Sequence, residues 1–157
     1  VKSRKKSARK RAPRRARKAA KATLKLKLPV GLEATVERVV TRESTIQHLS
    51  PDLPPVFSTP SMIGLMEHAT VLAVLPALPP GFITVGTRIE VDHLKAIAPG
   101  ASVLAWARFA GYKGRFLVFD VEARSGDHVI GRGRVFRAIV NPDEHGVRAR
   151  ARGAQPA

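Results

Sequence analysis

An α+β fold, with an antiparallel sheet curled around one long helix, is predicted by three features of this chain. A helix-like run from Met62 to Ala73 is apolar on nearly every side, so something must wrap it. Four β-like runs follow, separated by turn signals short enough to make neighbours antiparallel. A fifth strand-like run precedes the helix, which gives the sheet material on both sides of it in sequence.

Taken in order, the first strand is expected over Glu33 to Glu43 (EATVERVVTRE), where β-branched residues are enriched. Pro51, Pro54 and Pro55 mark an irregular connection. At Ser58-Thr59-Pro60 a hydroxyl residue precedes Pro, which starts a helix well because its missing N–H would be unpaired in the first turn anyway. The helix carries Met62, Ile63, Leu65, Met66, Ala69, Leu72 and Ala73 and ends near Pro76, whose ring blocks continuation. The later strands are expected at Gly86 to Leu94, Ala101 to Ala110, Arg115 to Ala123 and Val129 to Val140. Turns fall at Pro99-Gly100, Gly111 to Gly114 and Ser125-Gly126-Asp127.

Charge divides the chain unevenly. Its 157 residues hold 28 Lys or Arg against 12 Asp or Glu, and 14 of those cations, with no acid, lie in residues 1–28. The net charge of +16 is therefore +14 on that segment and +2 on everything after it. Residues 1–28 read as a disordered basic tail, 29–145 as one folded domain and 146–157 as a flexible C-terminal tail. A solvated tail is the plain reading of the first segment. Weak, salt-dependent contact with nucleic acid or another polyanion, or an Arg-rich transit peptide, are its alternatives.

The lack of Cys excludes a disulfide framework, a thiolate nucleophile and a cysteine-ligated metal, and it fits a cytoplasmic protein. The longest apolar stretch, Met62 to Leu78, is interrupted by Glu67, His68 and Pro76. It falls short of the roughly 20 residues that cross a bilayer, so no membrane insertion is expected.

Three residues stand out as chemistry. Glu67 is an acid in an apolar helix, where desolvation would make it a stronger base or nucleophile; otherwise it faces a solvated stripe. His93 follows Ile89 and Val91 at period two, so it shares their face, either as a satisfied core residue or as a proton shuttle or hydrogen-bond partner for a carbonyl. Thr59 fits the helix N-cap, or a hydroxyl placed where the helix dipole favours developing negative charge. Eight residues of helix rise about 12 Å, so Thr59 and Glu67 can share a site only across two subunits or through a bent helix start. The remaining histidines lack metal-ligand spacing, and no metal is expected. Glycines in Ile130 to Phe136 (IGRGRVF) suggest a bulge or close backbone approach rather than a phosphate loop, while Arg132, Arg134 and Arg137 read by default as exposed-face residues, with contact to coenzyme A phosphates as the alternative.

Thr59 to Ala69 (TPSMIGLMEHA), Gly86 to His93 (GTRIEVDH) and Pro99-Gly100, in that order, resemble the fluoroacetyl-CoA thioesterase family of hotdog-fold proteins. The similarity runs from about Leu32 to Val140. It implies a homodimer, or a dimer of dimers, with acyl-CoA at the subunit interface, catalytic roles for Thr59, Glu67 and His93, and a pocket glycine at Gly86. Phe57 and Arg132 complete the residues expected to contact substrate. Coenzyme A is the leaving group, so no separate cofactor is required. Where the family has its lid and loop this chain has Pro51 to Pro55 (PDLPP), and the resemblance does not extend to fluoroacyl selectivity. The expected activity is hydrolysis of a short-chain acyl-CoA. The alternatives are a non-catalytic acyl-CoA-binding module, a domain tethered to nucleic acid by its basic tail, and a hotdog dehydratase.

Overall fold

The computed structural model describes residues 26–142. The expected tails over 1–25 and 146–157 lie outside the described residues. Leu26 and Leu28, which composition assigns to the basic tail, instead pack on the body, with Leu28 in the core. Apolar side chains at alternate positions outweigh the neighbouring lysines there.

Strand β1 spans Glu33–Val39, a short helix α1 spans Ile46–Leu49, and the long helix α2 spans Thr59–Val74. Strands β2 (Ile83–His93), β3 (Ser102–Lys113), β4 (Phe116–Ser125) and β5 (His128–Val140) follow. They form one sheet in the order β1-β3-β4-β5-β2, with every pair antiparallel. Strands β1 and β2 therefore occupy opposite edges, and the chain between them must cross the sheet. Helix α2 is that crossing, and it packs mainly on β1 and β3. This is the hotdog arrangement.

Inward positions alternate along the strands as the pleat requires. Val103, Ala105, Ala107 and Phe109 of β3 and Leu117, Phe119, Val121 and Ala123 of β4 are all buried beneath the helix. From α2 they meet Met62, Met66, Ala69 and Val74, each with no exposed surface. Gly64, His68 and Leu72 lie on its open side. The stretch Thr59–Ala77 is long and apolar enough to cross a membrane by composition; Met62, Leu65, Met66 and Val74 are buried in the core, while Leu72 and Leu75 are exposed.

Several boundaries differ from expectation, among them the start of β2, at Ile83 rather than Gly86, and the end of β4, at Ser125 rather than Ala123. Strand β1 ends at Val39, four residues early, because Ser44 Oγ accepts from the Thr41 N–H at 3.0 Å and donates to the Thr41 carbonyl at 2.8 Å, closing a turn. The proline-rich connection contains α1, which ends two residues ahead of Pro51. Strand β3 runs on to Lys113 because Gly111, expected in the turn, is absorbed as a bulge at φ +134°. The turn itself is only Gly114-Arg115, as Gly126-Asp127 is the next one. In each, glycine at φ +62° or +54° supplies the first central position of a two-residue hairpin loop.

The glycines of β5 have the role their sequence suggested. Gly131 and Gly133 face inward; a Cβ on Gly131 would lie 2.5 Å from Met62 Sδ, and one on Gly133 would run into the Glu90 carbonyl of β2. Their absence of side chain lets the helix and the edge strand close on β5.

The convex face carries a different pattern. Registers place Glu33, Arg108, Asp120, Arg134 and Glu90 side by side across all five strands, alternating in sign. Arg134 Nε donates to Asp120 Oδ1 at 3.1 Å. Exposed cross-strand pairs contribute only about 0.2–1 kcal/mol each, but like charges placed opposite one another cost similar amounts. Asp120→Lys, which sets three cations in a row, is expected to destabilise the protein by about 1 kcal/mol at low salt and less in high salt. Urea unfolding at two ionic strengths checks this; an unchanged midpoint at both would show that the row carries no energy.

Candidate active site

Ser58, not Thr59, caps α2. Ser58 Oγ accepts from the Ser61 N–H at 3.2 Å, and the Met62 N–H reaches the Ser58 carbonyl at 3.0 Å. Thr59 is thereby the first helical residue and Pro60 the second, and the Thr59 hydroxyl is released from capping. It meets His93 instead: Thr59 Oγ1 lies 2.8 Å from His93 Nδ1, while His93 Nε2 lies 3.1 Å from the Lys95 carbonyl. A carbonyl only accepts, so Nε2 carries the proton. In the neutral ring Nδ1 then accepts from the Thr59 hydroxyl. A hydroxyl donating to an imidazole is the geometry by which a base polarises an O–H bond. Ser61 and Met62 N–H are already engaged and Pro60 lacks one, so side chains and the helix dipole take a large share of any charge stabilisation here.

Two turns along α2, Glu67 enters a second cluster. Its Oε1 accepts from Arg137 Nη1 at 3.1 Å and lies so close over Gly86 that a Cβ there would collide with it. Arg137 is 5% exposed on the inward face of β5, whereas the Glu67 side chain keeps 32% of its surface open. The other guanidinium nitrogens are bound to β2: Nε donates to Thr84 Oγ1 at 2.9 Å and Nη2 to the Thr84 carbonyl at 3.0 Å. Burial pushes the Arg137 guanidinium below its ordinary value, and the Glu67 carboxylate pushes it back. The guanidinium donates through all three of its nitrogens, and the one aimed at Glu67 fixes the position of that carboxyl group.

One chain thus brings Thr59 to His93, and Glu67 to Gly86, as two clusters at different depths of the same helix. Both are anchored on the inward face of β2, His93 opposite Gly131 and Gly86 opposite Arg137. Phe57 is 4% exposed behind the helix start, its N–H bound to the Ile97 carbonyl at 2.8 Å. It helps to line an open groove of about 380 Å³ with Arg38, Thr41, Ser61, Gly64 and His68, on the outer side of α2, a groove that includes neither Glu67 nor His93. Arg132 lies on the convex face, exposed between Glu122 and Asp92 in the strand registers, on the other side of the sheet from both clusters.

The default exposed-face reading of Arg137 is overturned. The signal was present in the sequence: Val135, Arg137 and Ile139 fall at period two, so an arginine shares a face with two aliphatic residues and must carry its own partner. Thr84, whose hydroxyl and carbonyl both serve that arginine, went unnoticed because it precedes the expected start of β2. Thr84→Val keeps the shape and removes one acceptor from a buried donor, and is expected to cost about 1–3 kcal/mol. Thermal and urea unfolding measure it; no loss would mean that Arg137 Nε is served elsewhere.

Comparisons with known proteins agree with this architecture. The family model for fluoroacetyl-CoA-specific thioesterase matches residues 40–143. The fluoroacetyl-CoA thioesterase of Streptantibioticus cattleyicolor is 38% identical over 112 residues, covering 68% of this chain and 81% of that protein. A solved structure of a fluoroacetyl-CoA thioesterase superposes with a TM-score of 0.71 at 36% identity, over 83% of this chain and 99% of the other. A hot-dog-like protein from Thermanaerovibrio acidaminovorans gives a TM-score of 0.69 at 25% identity, over 82% of this chain and 95% of its own. The chain belongs to the fluoroacetyl-CoA-specific thioesterase family.

Proposed function

We propose that this protein is an acyl-CoA thioesterase that hydrolyses a short-chain acyl-CoA to the free acid and coenzyme A. The observation that carries the reading is the Glu67 side chain, held by a hydrogen bond from a buried arginine and pressed against a residue without a side chain, Gly86. One carboxylate oxygen is committed to Arg137; the other is left to attack the thioester carbonyl or to take a proton from water. If Glu67 attacks, its oxygen bonds to the carbonyl carbon as the C–S bond breaks, and water then cleaves the resulting anhydride to the free acid and the restored carboxylate. If it acts as base, the water oxygen bonds to the carbonyl carbon as the C–S bond breaks, and the proton taken by Glu67 passes to the departing coenzyme A thiolate. Thr59 and His93 position the reacting groups and stabilise charge on the carbonyl oxygen. The cytoplasm, where acyl-CoA is available, is the compartment this reading implies.

The same reading includes a homodimer. Strand β2 is an 11-residue edge, with Ile83, Val85 and Ile89 exposed on it, and unpaired edges of that length invite another strand. Two copies paired antiparallel along β2 about a two-fold axis at Glu90 would set Ile89 of each opposite Val91 of the other and, across the bulge between Gly86 and Arg88, bring His93 of each to Gly86 of the other. The Thr59–His93 pair of one copy would then meet the Glu67 of its neighbour, which joins the two clusters that a single chain keeps apart.

Release of free coenzyme A from a panel of short acyl-CoA thioesters, fluoroacetyl-CoA and acetyl-CoA included, tests the activity and reads the acyl preference. Glu67→Gln is expected to lower kcat by about 10²–10⁴-fold. A near wild-type rate in that variant would sink the scheme, and binding of coenzyme A without turnover of any thioester would replace it with a binding module. The shared site has its own test: inactive Glu67→Gln and His93→Ala proteins, unfolded and refolded together, should recover about a quarter of wild-type activity, because half of the dimers are mixed and each mixed dimer regains one intact site. No recovery would confine the chemistry to one chain.

A further inference from the structure

Arg137 is gripped along one edge by a single residue. Its Nε donates to Thr84 Oγ1 at 2.9 Å and its Nη2 to the Thr84 carbonyl at 3.0 Å, so the side chain and the main chain of Thr84 together hold two of the three guanidinium nitrogens. The third, Nη1, is the one that reaches Glu67 Oε1, at 3.1 Å. Thr84 lies on β2 opposite Ile139, two residues before Gly86, and it is buried together with Arg137. Among the described residues no second carboxylate pairs with that arginine.

A guanidinium is a planar fork whose donors stand at fixed angles to one another. One hydrogen bond fixes the position of one nitrogen and leaves the plane free to swing about it. Two bonds along the same edge fix the plane, and with it the direction in which Nη1 points. Glu67 has no comparable restraint of its own. Part of its side chain is open to solvent, and it lies over Gly86, which has no side chain to hold it. Among the described residues the only hydrogen bond to its carboxyl group comes from Arg137. The place of that carboxyl group is therefore inherited from Thr84 through Arg137.

We propose that Thr84 is a positioning residue for thioester hydrolysis, a role that rests on the thioesterase reading and adds to it a residue with no hydrogen bond to Glu67 itself. The Thr84 hydroxyl sets the direction of the Arg137 fork, and so the point from which Glu67 acts on the thioester carbonyl or on water. Moving a reacting group by about 1 Å costs roughly 10²-fold in rate, so a fork free to swing shows itself in turnover. Binding of the coenzyme A portion does not depend on where Glu67 points and is left nearly unchanged.

The test is steady-state hydrolysis of the acyl-CoA that wild type turns over fastest, by the full chain carrying Thr84→Val, Thr84→Ser, Glu67→Gln or Thr84→Val with Glu67→Gln, each well below its unfolding temperature. Thr84→Val should lower kcat by about 10- to 100-fold with KM changed by less than about twofold, and Thr84→Ser, which restores the acceptor, should regain most of the rate. On the Glu67→Gln background the same Thr84→Val substitution should change kcat by less than about twofold, because no carboxylate remains to be misplaced. A general loosening of the fold would lower both backgrounds alike. If Thr84→Val does not fold, Thr84→Cys, whose sulfur is only a weak acceptor, takes its place and is read in the same way. An unchanged kcat in Thr84→Val beside an inactive Glu67→Gln overturns this proposal alone, as does an equal loss on the two backgrounds. A near wild-type Glu67→Gln overturns the thioesterase scheme and this proposal together.

Discussion

The chain must pass from one edge of its sheet to the other between its first and second strands, and most of this structure follows from that constraint. A crossing of that span over a concave, apolar surface is satisfied by a helix, which pairs its own backbone groups and needs only side chains to match what lies beneath. The match is made by small residues where the backbones are closest: Ala105 and Ala107 on β3, Ala69 on α2, and Gly131 on β5 under Met62. The same crossing sets the positions of functional groups. It lays the start of α2 against the end of β2 and its middle against the beginning of that strand, so Thr59 finds His93 while Glu67 finds Gly86.

Electrostatics within the site is governed by one asymmetric pair. Arg137 is almost wholly enclosed and Glu67 is not, so the arginine carries most of the desolvation cost and the carboxylate keeps contact with water. A buried guanidinium is tolerable only when its donors are matched, and here all three nitrogens have acceptors, two of them from Thr84. The arrangement fixes a charged carboxylate in one place without wrapping it. That is the combination a group needs if it is to be held in position and still meet a substrate carbonyl.

The two faces of the sheet have divided their tasks. The concave face buries apolar side chains and carries both polar clusters, of which only Arg137 and Thr84 are buried. The convex face holds alternating charges over most of its width, which disfavours mispairing, and gives way at the β3–β4 end to Lys113 and Arg115 seated on the rings of Phe136 and Phe116. Arg132 belongs to the first of these convex regions, set between Glu122 and Asp92 rather than beside the residues of the site.

Periodicity and turn chemistry in the sequence were sufficient for the fold class, for the five strands and the helix between the first two, and for the close approach at the β5 glycines. These are local signals: an apolar repeat of two or of 3.6, a glycine at a tight turn, a proline at a helix start. Boundaries were less legible where two local signals competed, as when the Thr41–Ser44 turn cut short a β-branched run, or when Gly111 served as a bulge inside a strand. The helix cap was misread by one residue for the same reason, since Ser58 and Thr59 are equally good caps until His93 claims one of them. Which residues meet across long sequence separations was decided by tertiary structure alone. Arg137 lies 70 residues from Glu67 and 53 from Thr84. Only the register of β5 between β4 and β2, beneath a crossing helix, brings the three within hydrogen-bond reach, because pairing at that distance is set by packing and strand order rather than by any local preference.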